Sequence, residues 1–183
     1  MKLKKELSRF EVLPLARRYI VMNSFDGVLT SLAIIISSLF VRDSSIVFGA
    51  GLAAGLGLAI SGISSAYMAE RAERDVELER LERAMLSELK MRRAASRVVV
   101  FVLAMVNGIS PLFAVLAVIS PFLFFDFMTA LYSSIIICFS LLIVLGIYLA
   151  KISNKSMILY GFQMLLTGVV TLILTIGISF LIK

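Results

Sequence analysis

Five long apolar stretches, separated by short polar or turn-forming segments, dominate this chain. Each stretch has at least about 20 residues, enough for a helix to cross a hydrocarbon core of about 30 Å. The least marked boundary divides residues 98–150 and rests on Pro121 and Asp126. The pattern predicts an all-α integral membrane protein with five transmembrane helices, at residues 19–41, 46–69, 98–125, 128–150 and 156–181.

The second span runs into a highly charged segment, residues 70–97, that contains neither glycine nor proline. We expect this segment to continue span two as an acidic helix that projects into the cytoplasm. Apolar residues recur along it at helical spacing, so the helix should pair with a partner, most simply its copy in a homodimer. These apolar residues are Val76, Leu78, Leu81, Met85 and Leu89.

Basic residues predict the orientation of the spans. They precede span one, fill the segment between spans two and three, and include Lys151 and Lys155 between spans four and five, whereas the opposite side offers only Arg42 and Lys183. The positive-inside rule then places the N-terminus in the cytoplasm and the C-terminus outside or in a lumen. We expect the cell membrane rather than a vacuolar membrane. The net charge of +6 follows from this topology and requires no nucleic-acid partner.

The chain therefore divides into four parts: residues 1–18, spans one and two (19–69), the charged helix (70–97), and spans three to five (98–183). The first part is basic and amphipathic and ends its apolar face near Pro14. It predicts a short helix that lies on the lipid surface.

Several kinds of chemistry are excluded by the composition, because the chain has one cysteine and no histidine. A disulfide within the chain, an iron–sulfur cluster, a haem or zinc site with histidine ligands, and Ser-His-Asp catalysis all need residues that are absent. Cys138 is most simply a packing residue. We expect a protein that is not an enzyme and binds no permanent cofactor.

Asp26 is the strongest candidate for a functional residue, since a carboxylate inside a membrane span costs about 2.5–3.5 kcal/mol and needs a polar partner, a cavity or a cation. Asn23 and Thr30 share its helix face. A polar face on span two should lie at a depth in the membrane similar to that of Asp26. Together, the two faces predict a polar half-channel that opens to the cytoplasm. The alternative is that the serines bond their own backbone and help helices pack. The face of span two comprises Ser61, Ser64, Ser65 and Met68.

The glutamates of the charged segment allow two interpretations. Glu70, Glu73, Glu79 and Glu82, with Met85 nearby, could gather oxygen and sulfur ligands for a divalent ion. Alternatively, they form a solvated, salt-bridged face through i, i+4 pairs with arginine at Glu70–Arg74 and Glu79–Arg83.

Small residues at the start of span two, such as Gly51 and Gly55, indicate a face on which another helix packs closely.

A set of segments, in this order along the chain, resembles the vacuolar iron transporter family. Arg17-Arg18 precedes Phe25-Asp26-Gly27-Val28 in span one, and span two ends in Ala66-Tyr67-Met68-Ala69 before the acidic helix. The last two spans contain Leu145-Gly146-Ile147-Tyr148 and the stretch 161–168. The resemblance extends over nearly the whole chain.

The resemblance implies a homodimer that moves Fe²⁺ or Mn²⁺ out of the cytoplasm in exchange for protons, with Asp26 at the pathway aspartate. The glutamate pair at positions 79 and 82 is the better match to the family's cytoplasmic Glu-x-x-Glu element, followed by the pair at 70 and 73. Two departures stand out. First, the positions of the family's pathway methionine and of an acidic residue before it fall near Gly62 and Ala54 here, so both ligands are absent. Second, the family's cytoplasmic metal-binding domain is reduced to one segment.

We therefore predict an exporter of Fe²⁺ or Mn²⁺ driven by proton antiport, in which the acidic helix captures the ion and passes it to Asp26 and the hydroxyl face of span two. Its partners would be divalent metal ions, protons, membrane lipid and a second copy of the chain. The alternative is a non-transporting membrane scaffold or sensor whose cytoplasmic helix pairs with a protein partner. A scaffold should tolerate Asp26→Asn.

Overall fold

The computed structural model describes residues 12–85 and 90–181. These residues form helices without strands, and five of the helices are long and apolar enough to cross a membrane. The predicted class, a five-span helical membrane protein, is confirmed. The helices are α1 (Val12–Ser37), α2 (Ser44–Met85), α3 (Lys90–Ile119), α4 (Phe127–Ser153) and α5 (Met157–Leu181), with short 3-10 turns at Ser38–Phe40 and Ser120–Leu123.

Two aspartates mark helix starts. Asp43 precedes α2, and its Oδ1 accepts a hydrogen bond from the backbone N–H of Ser45 at 2.8 Å. Asp126 precedes α4 and accepts from the N–H of Thr129 at 3.2 Å, and hydrogen bonding to Thr129 lowers the pKa of this carboxyl. The boundary predicted from Pro121 and Asp126 is therefore where the third and fourth helices separate.

The N-terminal prediction needs a correction. Residues 1–11 of the proposed surface helix lie outside the described residues, and from Val12 onward the chain already belongs to α1. Pro14 does not end a helix there, since it occupies the first turn of α1, where a backbone N–H has no helical partner in any case.

Helix α1 is the centre of the bundle, because it contacts each of the other four helices. Leu32 and Ile35 of α1 are fully buried and share one apolar cluster with Cys138 and Leu142 of α4. Cys138 is a buried free thiol, in agreement with its predicted packing role. The cluster joins the first half of the chain to the second.

Helix α3 packs backbone to backbone against both α1 and α2. A Cβ added to Gly108 of α3 would lie 2.3 Å from the carbonyl oxygen of Ala59 in α2. One added to Gly27 of α1 would lie 2.6 Å from the carbonyl oxygen of Pro111 in α3. Only glycine allows both approaches, since any side chain would push the helices apart.

The small-residue face predicted at the start of span two is confirmed at two positions. A Cβ on Gly51 would meet Ile119 at 2.9 Å, and one on Gly55 would meet Leu112 at 3.1 Å. Gly57, by contrast, has nothing within 4 Å of that position. Only part of the run of small residues in α2 therefore packs against α3.

The charged segment is not one helix. Its first part, residues 70–85, continues α2 and is named here the acid-rich extension, but residues 90–97 begin α3. The chain has turned back between them, and Arg93 of α3 pairs with Glu82 at 2.7 Å. Of the predicted apolar residues, Leu78 is 2% exposed within the single chain, whereas Val76 is exposed. Burial at Leu78 thus needs no second copy, and Leu89 and the Met85 side chain lie outside the described residues.

The α2–α3 crossing makes a testable prediction. Gly108→Ala should lower the free energy of unfolding by about 1–3 kcal/mol, because the new methyl forces two backbones apart. For a chain of this size that is roughly 2–4 °C in Tm for each kcal/mol. Unfolding can be followed with a thiol-reactive dye, since Cys138 is the chain's only cysteine and is buried.

The matched control is Gly57→Ala, where the methyl enters open space and removes a flexible residue from a helix. It should leave Tm unchanged or slightly raised. Equal Tm values for the two variants would contradict the close contact at Gly108.

Candidate functional site

Asp26 lies inside α1, next to the glycine that contacts α3. Its side chain is exposed in the single chain and makes no hydrogen bond or ion pair with the described residues. Within the described residues of the single chain the carboxylate is therefore neither buried nor paired, although a carboxylate inside a span needs a polar partner, a cavity or a cation. Thr30, one turn further along, is half-buried on the same helix.

Asn107 of α3 joins three helices through its side-chain amide. The Nδ2 of Asn23 in α1 donates to the Oδ1 of Asn107 at 2.6 Å, and also to the carbonyl of Tyr19 at 2.8 Å. The Nδ2 of Asn107 donates to the carbonyl oxygen of Gly62 in α2 at 2.8 Å. Asn107 is 8% exposed, so both contacts are shielded from solvent. The Asn107 side chain meets α1 at Asn23, which lies one turn before Asp26.

The absence of a side chain at position 62 has a steric reason. A Cβ there would lie 3.1 Å from Nδ2 of Asn107 and 3.1 Å from the Cα of Gly108. The space that a methionine would need is occupied by the amide and backbone of α3. Position 62 thus lacks the methionine of the vacuolar iron transporter pattern because the Asn107 side chain fills the adjacent space. Amide and carbonyl groups lie where the resemblance placed the methionine sulfur.

Pro111 adds a further polar group at the same level. Proline has no N–H, so it cannot donate to the carbonyl of Asn107, which is four residues earlier in α3. The polar groups at this level are therefore a carbonyl without its usual helical donor, two carboxamides and the nearby carboxylate of Asp26.

Glu70 is held between α1 and the acid-rich extension. Its Oε1 accepts a hydrogen bond from the hydroxyl of Tyr19 at 2.5 Å, and its Oε2 lies 3.4 Å from Nη2 of Arg74. Glu70 is 5% and Arg74 8% exposed. A buried carboxylate with two partners fixes the helices to each other and is not open to an ion arriving from solvent.

Two of the other predicted glutamates, Glu79 and Glu82, pair with arginines. Arg93 donates to Glu82 through two nitrogens, at 2.7 and 3.0 Å, and Glu79 lies 3.8 Å from Arg83. Within residues 12–85 and 90–181 no three His, Cys, Asp or Glu side chains are grouped so that they could hold a metal. The predicted metal ligands Glu70, Glu73, Glu79 and Glu82 are not brought together into such a group. The side chain of Met85, the other predicted ligand of this segment, lies outside the described residues. Of these glutamates, Glu73 and Glu79 are exposed.

The predicted half-channel between spans one and two is not formed in the single chain, since Asn107 of α3 bridges these two helices. The four residues of the hydroxyl face are all exposed, and none is hydrogen-bonded to Asp26. The Oγ of Ser65 instead approaches the carbonyl of Gly62 on its own helix at 3.4 Å. These residues are Ser61, Ser64, Ser65 and Met68.

Sequence reasoning missed Asn107, Pro111 and Tyr19. The available signal was an amide and a proline close together inside the apolar stretch of span three. An amide within a span is a helix-bridging group in many membrane proteins, because it can donate and accept at once.

Comparison with known proteins adds a relative. The chain is 32% identical over 152 residues to the uncharacterized protein MJ0645 of Methanocaldococcus jannaschii, and the alignment covers 80% of each chain. The chain belongs to the same family as MJ0645. No family model matches. The name of this archaeal relative states no substrate, so the function is argued from the residues.

The amide bridge predicts a measurable loss of stability. Asn107→Ala removes hydrogen bonds to both α1 and α2, and such bonds between membrane helices contribute about 0.6 kcal/mol on average and up to about 1.7 kcal/mol each. We expect Tm to fall by several degrees in the thiol-dye assay.

Ser110→Ala is the control, because the Ser110 hydroxyl bonds only the carbonyl of Val106 in its own helix. In an Asn107→Ala background, Asn23→Ala should lower Tm by less than it does in the wild-type chain. Full additivity of the two substitutions would show that these amides do not interact.

Proposed function

We propose that this protein exports a divalent transition metal, Fe²⁺ or Mn²⁺, from the cytoplasm by proton antiport, as a dimer of the vacuolar iron transporter type. The observation that carries the proposal is Asp26, an exposed carboxylate that has no partner among residues 12–85 and 90–181 and lies inside a helix long and apolar enough to cross a membrane. An intramembrane carboxylate is retained at an energetic cost, and ion pathways are its usual setting.

In the proposed dimer, a second copy of the chain shields the Asp26 carboxylate from lipid. In lipid, the exposed carboxylate would cost about 2.5–3.5 kcal/mol in each chain. Packing α1 against α1 of a second copy removes that exposure and brings two carboxylates to one polar passage. Met22 and Ser37, which are exposed on α1 as Asp26 is, would lie along the same contact.

The groups near Asp26 fit a hard or borderline cation. Carboxylate and carboxamide oxygens, such as those of Asp26 and Asn23, suit Mn²⁺, with Fe²⁺ next. A carboxylate in such a passage can exchange a proton for a cation, because the bound ion favours its charged form and desolvation its neutral form. That exchange is the step an antiporter needs.

The acid-rich extension has a smaller role in this mechanism than a metal-binding domain would. Glu70 and Glu82 are occupied by Tyr19, Arg74 and Arg93. Exposed Glu73, together with Glu79 in its weak, exposed pair with Arg83, remains to raise the local cation concentration near the entrance. The cytoplasmic placement of this extension rests on the distribution of basic residues.

Asp26→Asn is the direct test of transport. It keeps the size of the side chain and removes its charge, so uptake of Mn²⁺ or Fe²⁺ into proteoliposomes and the accompanying proton movement should both fall to the level of protein-free liposomes. Dimerisation and Tm should stay near wild type. Asp26→Glu should keep partial activity.

Asp43→Asn is the control, since it makes the same chemical change at an exposed helix start outside the spans. Transport at the wild-type rate by Asp26→Asn would falsify the mechanism and favour the scaffold or sensor alternative.

The dimer is tested by crosslinking in native membranes. Met22→Cys places a thiol on the exposed face of α1, one turn before Asp26, where Met22 is 50% exposed. We expect a short thiol crosslinker to join two chains there. Buried Cys138 should not react.

Phe162→Cys on α5 is the control, with a similarly exposed side chain at 61%. A crosslink at Phe162 and none at Met22 would move the interface away from Asp26 and contradict the proposed passage.

A further inference from the structure

A cationic cavity of about 160 Å³ lies between α2 and α3, where the acid-rich extension begins. Three arginines line it: Arg71 from α2, with Arg93 and Arg97 from the start of α3. Two hydroxyl-bearing residues, Tyr67 and Ser96, and the carboxylate of Asp75 complete its polar wall. This cavity is separate from the amide bridge at Asn107 and takes no part in the transport mechanism above.

The acidic groups nearby leave part of this positive charge uncompensated. Arg71 is 3.6 Å from Asp75, but both side chains are more than half exposed, and such pairs are weak in water. Arg93 is held by Glu82 at 2.7 Å. Arg97 forms no salt bridge with a carboxylate in the described part of the chain. Three guanidinium groups against one lining carboxylate, that of Asp75, leave a net positive wall that favours an anion over a metal cation.

The chemistry of the wall selects among anions. A guanidinium group is a planar fork that binds two phosphate oxygens at once, and charge-assisted hydrogen bonds of this kind are among the strongest in proteins. Ser96 is only 4% exposed and so presents its hydroxyl from a largely fixed position. Several donors and little room fit a single phosphoryl group.

The position of the cavity gives access from the lipid. Val98 and Phe101, on the first turns of α3, are 46% and 56% exposed, so apolar surface adjoins the arginines. Basic pockets between membrane helices at this level are suited to phospholipid head groups. We propose that this cavity binds a phosphoryl group, supplied either by the head group of an anionic phospholipid or by free phosphate.

The test uses purified full-length protein and two probes. Phosphatidic acid retention is measured by native mass spectrometry after exchange into phosphatidylcholine nanodiscs, and inorganic phosphate binding is measured by calorimetry. Arg97→Gln breaks no described ion pair and should weaken binding of the recognised probe by about tenfold. Arg80→Gln, an equal change of charge on an exposed residue of α2 away from the cavity, should leave binding unchanged.

The outcomes are distinct. Retention of phosphatidic acid that is lost in Arg97→Gln identifies the lipid head group, and phosphate binding with the same loss identifies free phosphate. Ser96→Ala gives a second variant without a charge change and should weaken the same probe, with Tm checked by the thiol-dye assay. Failure of wild type to bind either probe, or equal loss in Arg80→Gln, overturns the proposal.

Discussion

The contact of α3 with the backbones of α1 and α2 is the constraint on which the rest of the structure depends. Lipid is as apolar as the side chains it would replace, so helices in a bilayer associate through close packing and hydrogen bonds. Gly27 and Gly108 allow the close approach, and Gly62 leaves room for the amide of Asn107. The absence of a side chain at position 62 follows from this arrangement.

The sequence predicted the number of spans and the division between the third and fourth well, because apolar length and helix-capping aspartates act locally. Asp126 is an example, since its cap requires only the next three residues. The Glu70–Arg74 and Glu79–Arg83 pairs were predictable for the same reason. Helical periodicity also identified which residues share a face.

The arrangement of helices was not predictable in this way. Periodicity shows that Ser61 and Ser64 share a face, but it does not show that this face is exposed and that α3 packs instead on the side of α2 that carries Gly62. The reversal after Met85 was missed because residues 70–97 lack glycine and proline, whereas cross-helix pairs such as Glu82–Arg93 depend on the turn already being made. Asn107 was overlooked as one polar residue in a long apolar stretch.

Pro111 gives α3 a mechanical property that the other four helices lack. The missing backbone hydrogen bond lowers the energy needed to bend a helix at that level. The missing hydrogen bond falls at the level where α3 touches both neighbouring backbones, at Gly108 against α2 and at Pro111 against α1. A bend there would separate the Asn107 side chain from both helices at once, so packing at this level opposes a bend that the isolated helix would permit.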